Sequence, residues 1–168
     1  MTTADTDCSD LKLEVPDGSQ SLSITRDFAA SPDKVFRAHT DPELFARWNG
    51  PKGMETRIDR HDCRTGGSYR YVMAQDGEEY AFNGTFHEVR TDELIVQTFA
   101  FEGMPDDVAL ERLVLEDLGN GRTRLTSTSL VDSFEGRDGF VASGMEVGVN
   151  EGYEKLDALL ARDEGGAR

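Results

Sequence analysis

The residues that could perform acid–base or metal chemistry are few and widely spaced in this sequence. The three histidines, His39, His61 and His87, fall in three separate predicted elements. His61 and Cys63 are two residues apart on a predicted strand and share a face, but no second histidine or cysteine pair completes a set of metal ligands. Cys63 also lacks a neighbouring base that would activate it. We therefore predict no metal site and no cysteine nucleophile.

Glu102 is a candidate general acid, because it closes an aromatic segment, residues 98–101, that would lie at the mouth of a cavity. Tyr69 or Tyr71 would assist it in a cyclase or hydrolase reaction. The alternative is a solvated surface acid, since no base with an orienting partner is evident. The sequence also lacks a nucleophile elbow, a phosphate loop and a dinucleotide-binding fingerprint, so we predict no cofactor and assign no catalytic residue.

Aromatic side chains form a more informative pattern, because they recur in a short helix, the middle strands and the terminal helix. A curved sheet would turn many of them inward, where they form either a packed core or an apolar pocket with a few polar groups. Gln97 shares a strand face with Phe99 and Phe101. A buried amide needs hydrogen-bond partners, so Gln97 either orients a ligand or bonds within the core.

The stretch 140–162 predicts one long amphipathic helix that covers the sheet. Its apolar stripe, roughly 100° wide, contains Val141, Met145, Val149, Leu156, Leu159 and Leu160. Gly148 and Gly152 lie in the middle of this stripe, and each costs about 0.5–1 kcal/mol relative to alanine in a helix. Two such residues indicate a steric demand, which is either the close approach of a backbone or space for a ligand.

The predicted ligand site combines the inward aromatic residues with the apolar side of the terminal helix. It would hold a small apolar or aromatic molecule, with Gln97, Arg70 and Tyr71 as candidate polar groups. We assign to this site Trp48, Met54, Tyr69, Tyr71, Phe82, Phe86, Gln97, Phe99, Phe101, Met145, Gly148, Val149 and Gly152.

The elements that must position these residues follow an α+β order. A first strand at 21–29 precedes two short helices, which begin near Ser31-Pro32 and Thr40-Asp41-Pro42. Six further strands are predicted from the period-two alternation and turn residues, at 55–61, 68–74, 79–89, 93–101, 109–117 and 123–131. We expect one curved antiparallel sheet of about seven strands in a single domain at 20–163, between a mobile acidic tail at 1–19 and a short tail at 164–168.

Charge and composition limit the partners. The 168 residues carry a net charge of −15, which disfavours nucleic acids and anionic membranes. No run of 18 apolar residues and no apolar leader is present, and the two cysteines do not make a disulfide framework. We therefore expect a cytoplasmic protein.

The order of elements resembles the START-like, or birch-pollen-allergen-like, helix-grip fold. Within that SRPBCC superfamily, the chain resembles the activator of heat-shock-protein-90 ATPase homologues over about residues 21–162. The segments that carry the resemblance are 28–36 (FAASPDKVF), 41–51 (DPELFARWNGP), 66–72 (GGSYRYV), 84–89 (GTFHEV), 98–105 (TFAFEGMP) and 143–160 (SGMEVGVNEGYEKLDALL).

The resemblance implies a hydrophobic cavity between the sheet and a long C-terminal helix, and so a protein that binds a small hydrophobic ligand. Two alternatives stay open. One is a small-molecule enzyme in the same cavity, a cyclase or hydrolase, because the superfamily contains such enzymes. The other is a co-chaperone-type module that stimulates a chaperone ATPase, as the family name suggests. The sequence does not specify the oligomeric state.

Overall fold

Eight antiparallel strands form one sheet in the computed structural model, which describes residues 11–165. The strands lie side by side in the order β1-β2-β8-β7-β6-β5-β4-β3, so β1 and β3 are the edges and β7 lies near the centre. Their bounds are β1 Lys12–Glu14, β2 Ser21–Phe28, β3 Glu55–His61, β4 Ser68–Gln75, β5 Glu78–Arg90, β6 Leu94–Phe101, β7 Val108–Gly119 and β8 Arg122–Leu130.

Four helices accompany the sheet: α1 Pro32–Thr40, α2 Pro42–Trp48, α3 Phe134–Ala142 and α4 Met145–Gly165. Proline at the first position of α1 and α2 suits the start of a helix, where its missing N–H costs nothing. The Asp41 carboxylate caps α2 by accepting from the backbone N–H of Glu43 at 2.9 Å. None of the helices in the described range is long and apolar enough to cross a membrane.

The predicted fold class is confirmed, with one additional strand. Residues 12–14 pair with residues 23–25 of β2, although they belong to the segment predicted as a tail at 1–19. Residues 1–10 and 166–168 lie outside the described residues, so the rest of the tail prediction concerns chain that the structure does not describe. At the other end, α4 extends to Gly165, beyond the predicted domain boundary at 163.

The prediction of a single helix over 140–162 is wrong, because the chain breaks between α3 and α4. Gly144 has φ +82°, a left-handed conformation that ends an α-helix and that glycine adopts without strain. The Ser143 N–H donates to the Gly139 carbonyl at the last turn of α3. Val141 therefore belongs to α3, and the apolar stripe of α4 begins at Met145.

Two apolar clusters lie on the inner face of the sheet. The first lies beneath α4, where Tyr153, Leu156 and Leu160 pack with Phe28 of β2 and Leu125 of β8. The second lies on β4–β6 and contains Tyr69, Tyr71, Phe86 and Ile95. Among the described side chains, those of α4 contribute to the first cluster and not to the second. The helix therefore covers one half of the inner face.

An ion pair between the buried Arg26 and the partly exposed Asp157 fixes α4 over β2. The Arg26 guanidinium donates to both carboxylate oxygens of Asp157, at 2.7 and 2.6 Å, and also lies 4.7 Å from the centre of the Phe28 ring. Arg26 is only 1% exposed. A bidentate pair of this kind is directional as well as strong, so it fixes the position of the helix along the strand.

The buried His39 predicts an acid sensitivity of the fold. Its Nδ1–H donates to the Val35 carbonyl at 2.7 Å, its ring contacts Trp48 edge-on, and burial lowers its pKa from 6.5 to about 4. The unfolded chain therefore takes up a proton first as the pH falls. The stability that neutral His39 contributes above pH 6.5 should be lost progressively as the pH falls to about 4. At pH 5 the free energy of unfolding should be about 2 kcal/mol lower than above pH 6.5.

Urea unfolding of wild-type protein and His39→Phe at pH 7 and pH 5 checks this expectation. Phenylalanine keeps an aromatic ring against Trp48 but cannot titrate, so the variant should lose about 2 kcal/mol less on acidification. Equal losses in the two proteins would show that His39 does not account for the acid sensitivity.

Candidate functional site

A continuous layer of aromatic rings covers the inner face of β4, β5 and β6. Tyr69, Tyr71, Phe82, Phe86 and Phe99, here called the aromatic floor, alternate with residues that point to the outer face. Ring centres are 5.3 Å apart for Tyr71 and Phe82 and 5.4 Å apart for Phe82 and Phe99, both stacked. Phe101 extends the layer at 5.3 Å from Phe82. The ligand site predicted from the sequence also assumed that Tyr69 and Tyr71 point inward.

The aromatic floor is not uniformly buried. Tyr69, Tyr71 and Phe86 are buried, whereas Phe82 and Phe99 are only half-buried although their rings face inward. This difference follows the position of α4, which packs over the other half of the sheet. An apolar surface that faces inward and stays partly accessible is typical of a ligand site.

A row of polar side chains crosses the inner face beside the aromatic floor. Gln97, Glu111 and Ser129 are direct cross-strand partners on β6, β7 and β8. The Gln97 amide donates to Glu111 Oε1 at 3.0 Å, and the Ser129 hydroxyl donates to Glu111 Oε2 at 3.0 Å. We call these three residues the Glu111 network. Gln97 thus has the buried partners that its amide requires.

Burial determines the protonation behaviour of this region. Desolvation raises the pKa of Glu111, and the hydrogen bonds from Gln97 and Ser129 oppose that shift. Desolvation also raises the pKa of Tyr69 and of Tyr71, so both phenols stay protonated at neutral pH. Burial thus keeps the two phenols neutral and favours the protonated form of the Glu111 carboxyl.

Gly84 allows Tyr69 to reach across β5. Tyr69 is the cross-strand partner of Gly84, and its hydroxyl donates to the Thr98 carbonyl of β6 at 2.7 Å. A Cβ at position 84 would lie 2.0 Å from Thr98 O and 2.6 Å from the Tyr69 ring. The register shift in β5 comes later along the strand, between Phe86 and Glu88, so a β-bulge does not account for Gly84. Close approach is the reason for this glycine.

Helix α3 lies at the edge of the aromatic floor. Its Phe140 ring is 6.4 Å from the Phe99 ring, while the helix itself contributes no buried residue. The Ser133 hydroxyl caps its first turn by accepting from the Gly136 N–H at 2.9 Å. The Arg137 guanidinium, in the middle of the helix, also donates to the carbonyls of Pro16 and Ser19, so α3 is held at its start and by this side chain.

The sequence left open whether Gly148 and Gly152 reflect the close approach of a backbone or space for a ligand, and their surroundings in the structure decide between the two. A Cβ on Gly152 would lie 3.2 Å from Trp48 O and 3.4 Å from Gly50 O, and a Cβ on Gly148 would lie 3.3 Å from the Pro51 ring. Both positions therefore permit close packing of α4 on the loop after α2. The alternative of open ligand space beneath them is wrong.

Other residues of the predicted site are placed around the core of the fold. Trp48 is buried, and its indole N–H donates to the Ala38 carbonyl at 2.8 Å. Met145 and Val149 are partly buried against the cluster beneath α4. Met54 is half-buried in the loop before β3. These residues support the helices, and the structure does not bring them to the aromatic floor.

Glu102 and Arg70 lie on the outer face rather than beside the tyrosines. The Arg70 guanidinium donates to both oxygens of Glu102, at 2.8 and 3.0 Å, and also binds Asp59. Asn83 donates to the same carboxylate at 3.1 Å. The nearby guanidinium lowers the pKa of Glu102, which keeps it ionised. The combination of Glu102 with Tyr69 or Tyr71 that the sequence suggested is therefore not formed.

Of the histidine and cysteine candidates, His39 and His61 lie close together, since the His61 Nε2–H donates to the His39 carbonyl at 3.0 Å. Within residues 11–165, no three His, Cys, Asp or Glu side chains are grouped as metal ligands. Burial raises the pKa of the Cys63 thiol to about 12, so it is not a thiolate at neutral pH.

A shallow depression of about 360 Å³ lies near the ends of β7 and β8. It involves Val108, Leu110 and Leu130, which alternate with the inward residues of their strands and are therefore on the outer face. Leu110 and Leu130 are 45% and 48% exposed. This outer surface is separate from the aromatic floor and was not predicted from the sequence.

Comparison with known proteins agrees with the helix-grip fold described above. The family described as "Activator of Hsp90 ATPase homolog 1-like protein" matches residues 29–161. A solution structure of a protein from Arthrobacter aurescens is 28% identical with a TM-score of 0.82, and the match covers 90% of this chain and 91% of that one. A crystal structure of a protein from Mycobacterium smegmatis is 24% identical with a TM-score of 0.81, covering 90% and 97%, and shows the shared fold. No match was found among curated proteins.

Gly84→Ala tests the close approach of Tyr69 across β5. The new methyl group would overlap the Thr98 carbonyl, so the free energy of unfolding should fall by about 1–3 kcal/mol, as expected for overpacking. Gly139→Ala is the control, because a Cβ there meets nothing within 4 Å and alanine favours a helix. Urea unfolding followed by circular dichroism measures both, and a loss below about 0.5 kcal/mol for Gly84→Ala would contradict this interpretation.

Proposed function

The chain belongs to the activator of Hsp90 ATPase homolog 1-like family, and we propose that it is a cytoplasmic protein that binds a small apolar or aromatic molecule. The helix-grip fold supports a START-like ligand-binding domain in general. Our proposal places the ligand on the aromatic floor, between the inner face of β4–β7 and helix α3.

The observation that carries the proposal is the partial exposure of inward aromatic rings. Phe82 and Phe99 stack on one another and face the side of the sheet where the helices lie, yet both remain half-buried. A folded protein gains free energy by covering such rings. A small aromatic molecule would stack on them and complete the layer.

Helix α3 is the element that would cover a bound ligand. It contributes no buried residue, so displacing it exposes little apolar area. Phe140 already contacts Phe99 at the edge of the floor and would close over the ligand. The left-handed Gly144 between α3 and α4 is a natural point for a change of angle.

Apolar contact alone gives moderate affinity. Burial of about 200 Å² of ligand surface at about 25 cal/mol per Å² offers roughly 5 kcal/mol before the costs of association. Micromolar binding corresponds to about 8 kcal/mol, so polar contacts must contribute as well. The Glu111 network is the polar group nearest in register to Phe86 and the aromatic floor.

Binding of N-phenylnaphthylamine, a neutral probe that fluoresces in apolar surroundings, tests the proposal. We expect saturable binding at one site in the micromolar range. Phe99→Ala should weaken it about tenfold, since it removes a stacking surface of the floor.

Leu110→Ala is the matched control, because Leu110 lies on the neighbouring strand but on the outer face. Both variants are first compared with wild type by thermal unfolding. Loss of probe binding in Leu110→Ala but not in Phe99→Ala would move the site to the outer face. An absence of saturable binding would overturn the proposal.

The second candidate is a protein-binding role of the co-chaperone type. The family description and the exposed outer-face residues Leu110 and Leu130 favour it. The same probe experiment separates the two candidates, because only the small-molecule role requires a site at Phe99. A reaction in the cavity is less well supported, since Glu102 is ion-paired to Arg70 on the outer face.

A further inference from the structure

We propose that Glu111 anchors a positively charged nitrogen, so that the ligands of the inner-face site are aromatic amines. This inference rests on the proposed function and specifies its ligand class. The argument starts from the unusual surroundings of Glu111, which lies in the middle of the sheet rather than at its rim.

Glu111 has neutral partners, whereas three other carboxylates of the protein pair with arginines. Asp157 pairs with Arg26, Asp27 with Arg124, and Glu102 with Arg70. In the part of the chain that the structure describes, Glu111 receives its hydrogen bonds from the amide of Gln97 and the hydroxyl of Ser129. When it is ionised, Glu111 therefore has neutral hydrogen-bond donors beside it and no counter-ion among them.

The hydrogen bonds leave acceptor capacity free. A carboxylate has about four lone-pair sites, and each oxygen of Glu111 accepts one of the two bonds that the structure shows. Glu111 is half-buried, so part of the residue stays accessible although its carboxyl is desolvated. A charged group with spare acceptors and partial access is suited to a ligand that donates hydrogen bonds.

The surroundings favour a cation over a neutral or anionic donor. Desolvation raises the pKa of Glu111, and an ammonium group beside it would reverse that shift by supplying the missing positive charge. The faces of Tyr69, Tyr71 and Phe86 attract cations through their π electrons. The net charge of −15 also raises the local concentration of cations and repels carboxylate ligands.

The ring of the ligand and its nitrogen would be held by adjacent surfaces. Gln97 is the cross-strand partner of Phe86 on one side and of Glu111 on the other. A ligand ring that stacks on Phe82 and Phe99 would therefore direct a short substituent of the ligand toward the Glu111 network. An aromatic ring joined to an amine by a short linker has the required shape.

Three probes with one scaffold test this inference: naphthylethylamine, naphthylethanol and naphthylacetate, titrated by calorimetry at pH 7.5. We expect the amine to bind at least about tenfold more tightly than the alcohol, as a charge-assisted hydrogen bond predicts, and the acetate to bind most weakly. Glu111→Gln should abolish the preference for the amine while leaving the alcohol affinity within about threefold.

Glu116→Gln is the control, because it removes the same charge from the outer face of the same strand. It should keep the preference for the amine. Equal binding of amine and alcohol by the wild-type protein would overturn the inference. A preference for the amine that survives in Glu111→Gln would overturn it too. Both outcomes leave the proposed function standing. Binding of none of the three probes would overturn both.

A pH titration of the wild-type protein keeps the inference testable if Glu111→Gln fails to fold. The titratable groups facing Glu111 are Tyr69 and Tyr71 of β4 and Tyr153 of α4, and burial raises the pKa of each, so they stay neutral throughout. As the pH falls through the raised pKa of Glu111, the preference for the amine should disappear while the alcohol affinity persists. A preference that stays unchanged down to pH 4.5, the ordinary carboxyl value that burial raises in Glu111, would overturn the inference.

Discussion

The close contact between α4 and the loop after α2 is the constraint on which the rest of the structure depends. Gly152 and Gly148 bring the helix against residues 48–51, and the Arg26–Asp157 pair holds it over β2. With the helix fixed there, its apolar residues cover β2 and β8, and the inner face of β4–β6 remains partly open. The proposed site follows from this arrangement, because one helix is too narrow to cover a curved eight-stranded sheet.

The part of the inner face that α4 leaves open combines two kinds of half-buried side chain. Stacked aromatic rings provide apolar area, and the Glu111 network places a carboxyl among neutral donors beside them. Each is costly in isolation, because apolar rings lose free energy in water and a desolvated carboxyl loses hydration. A molecule with an aromatic ring and a hydrogen-bond donor would relieve both costs at once.

The sequence predicted the seven principal strands because period-two alternation and hairpin residues are local signals. It did not predict the break at Gly144, since a glycine that ends one helix looks the same in sequence as a glycine inside a helix. Glu111 was missed because β7 has apolar residues on both faces, so that Leu110 and Leu113 give opposite interpretations of its orientation. Gly152 indicated a steric demand, but only the fold shows that the neighbour is the Trp48 carbonyl.

The most direct test of the inner-face site is a measurement of nuclear Overhauser effects between naphthylethylamine and the isotope-labelled protein. Contacts from the naphthyl ring to Phe82, Phe99 and Phe140 are the predicted result, because these rings line the aromatic floor and its covering helix. Contacts confined to Leu110 and Leu130 on the outer face would contradict the account. So would an absence of contacts to Phe82, Phe99 and Phe140 when the protein is saturated with naphthylethylamine.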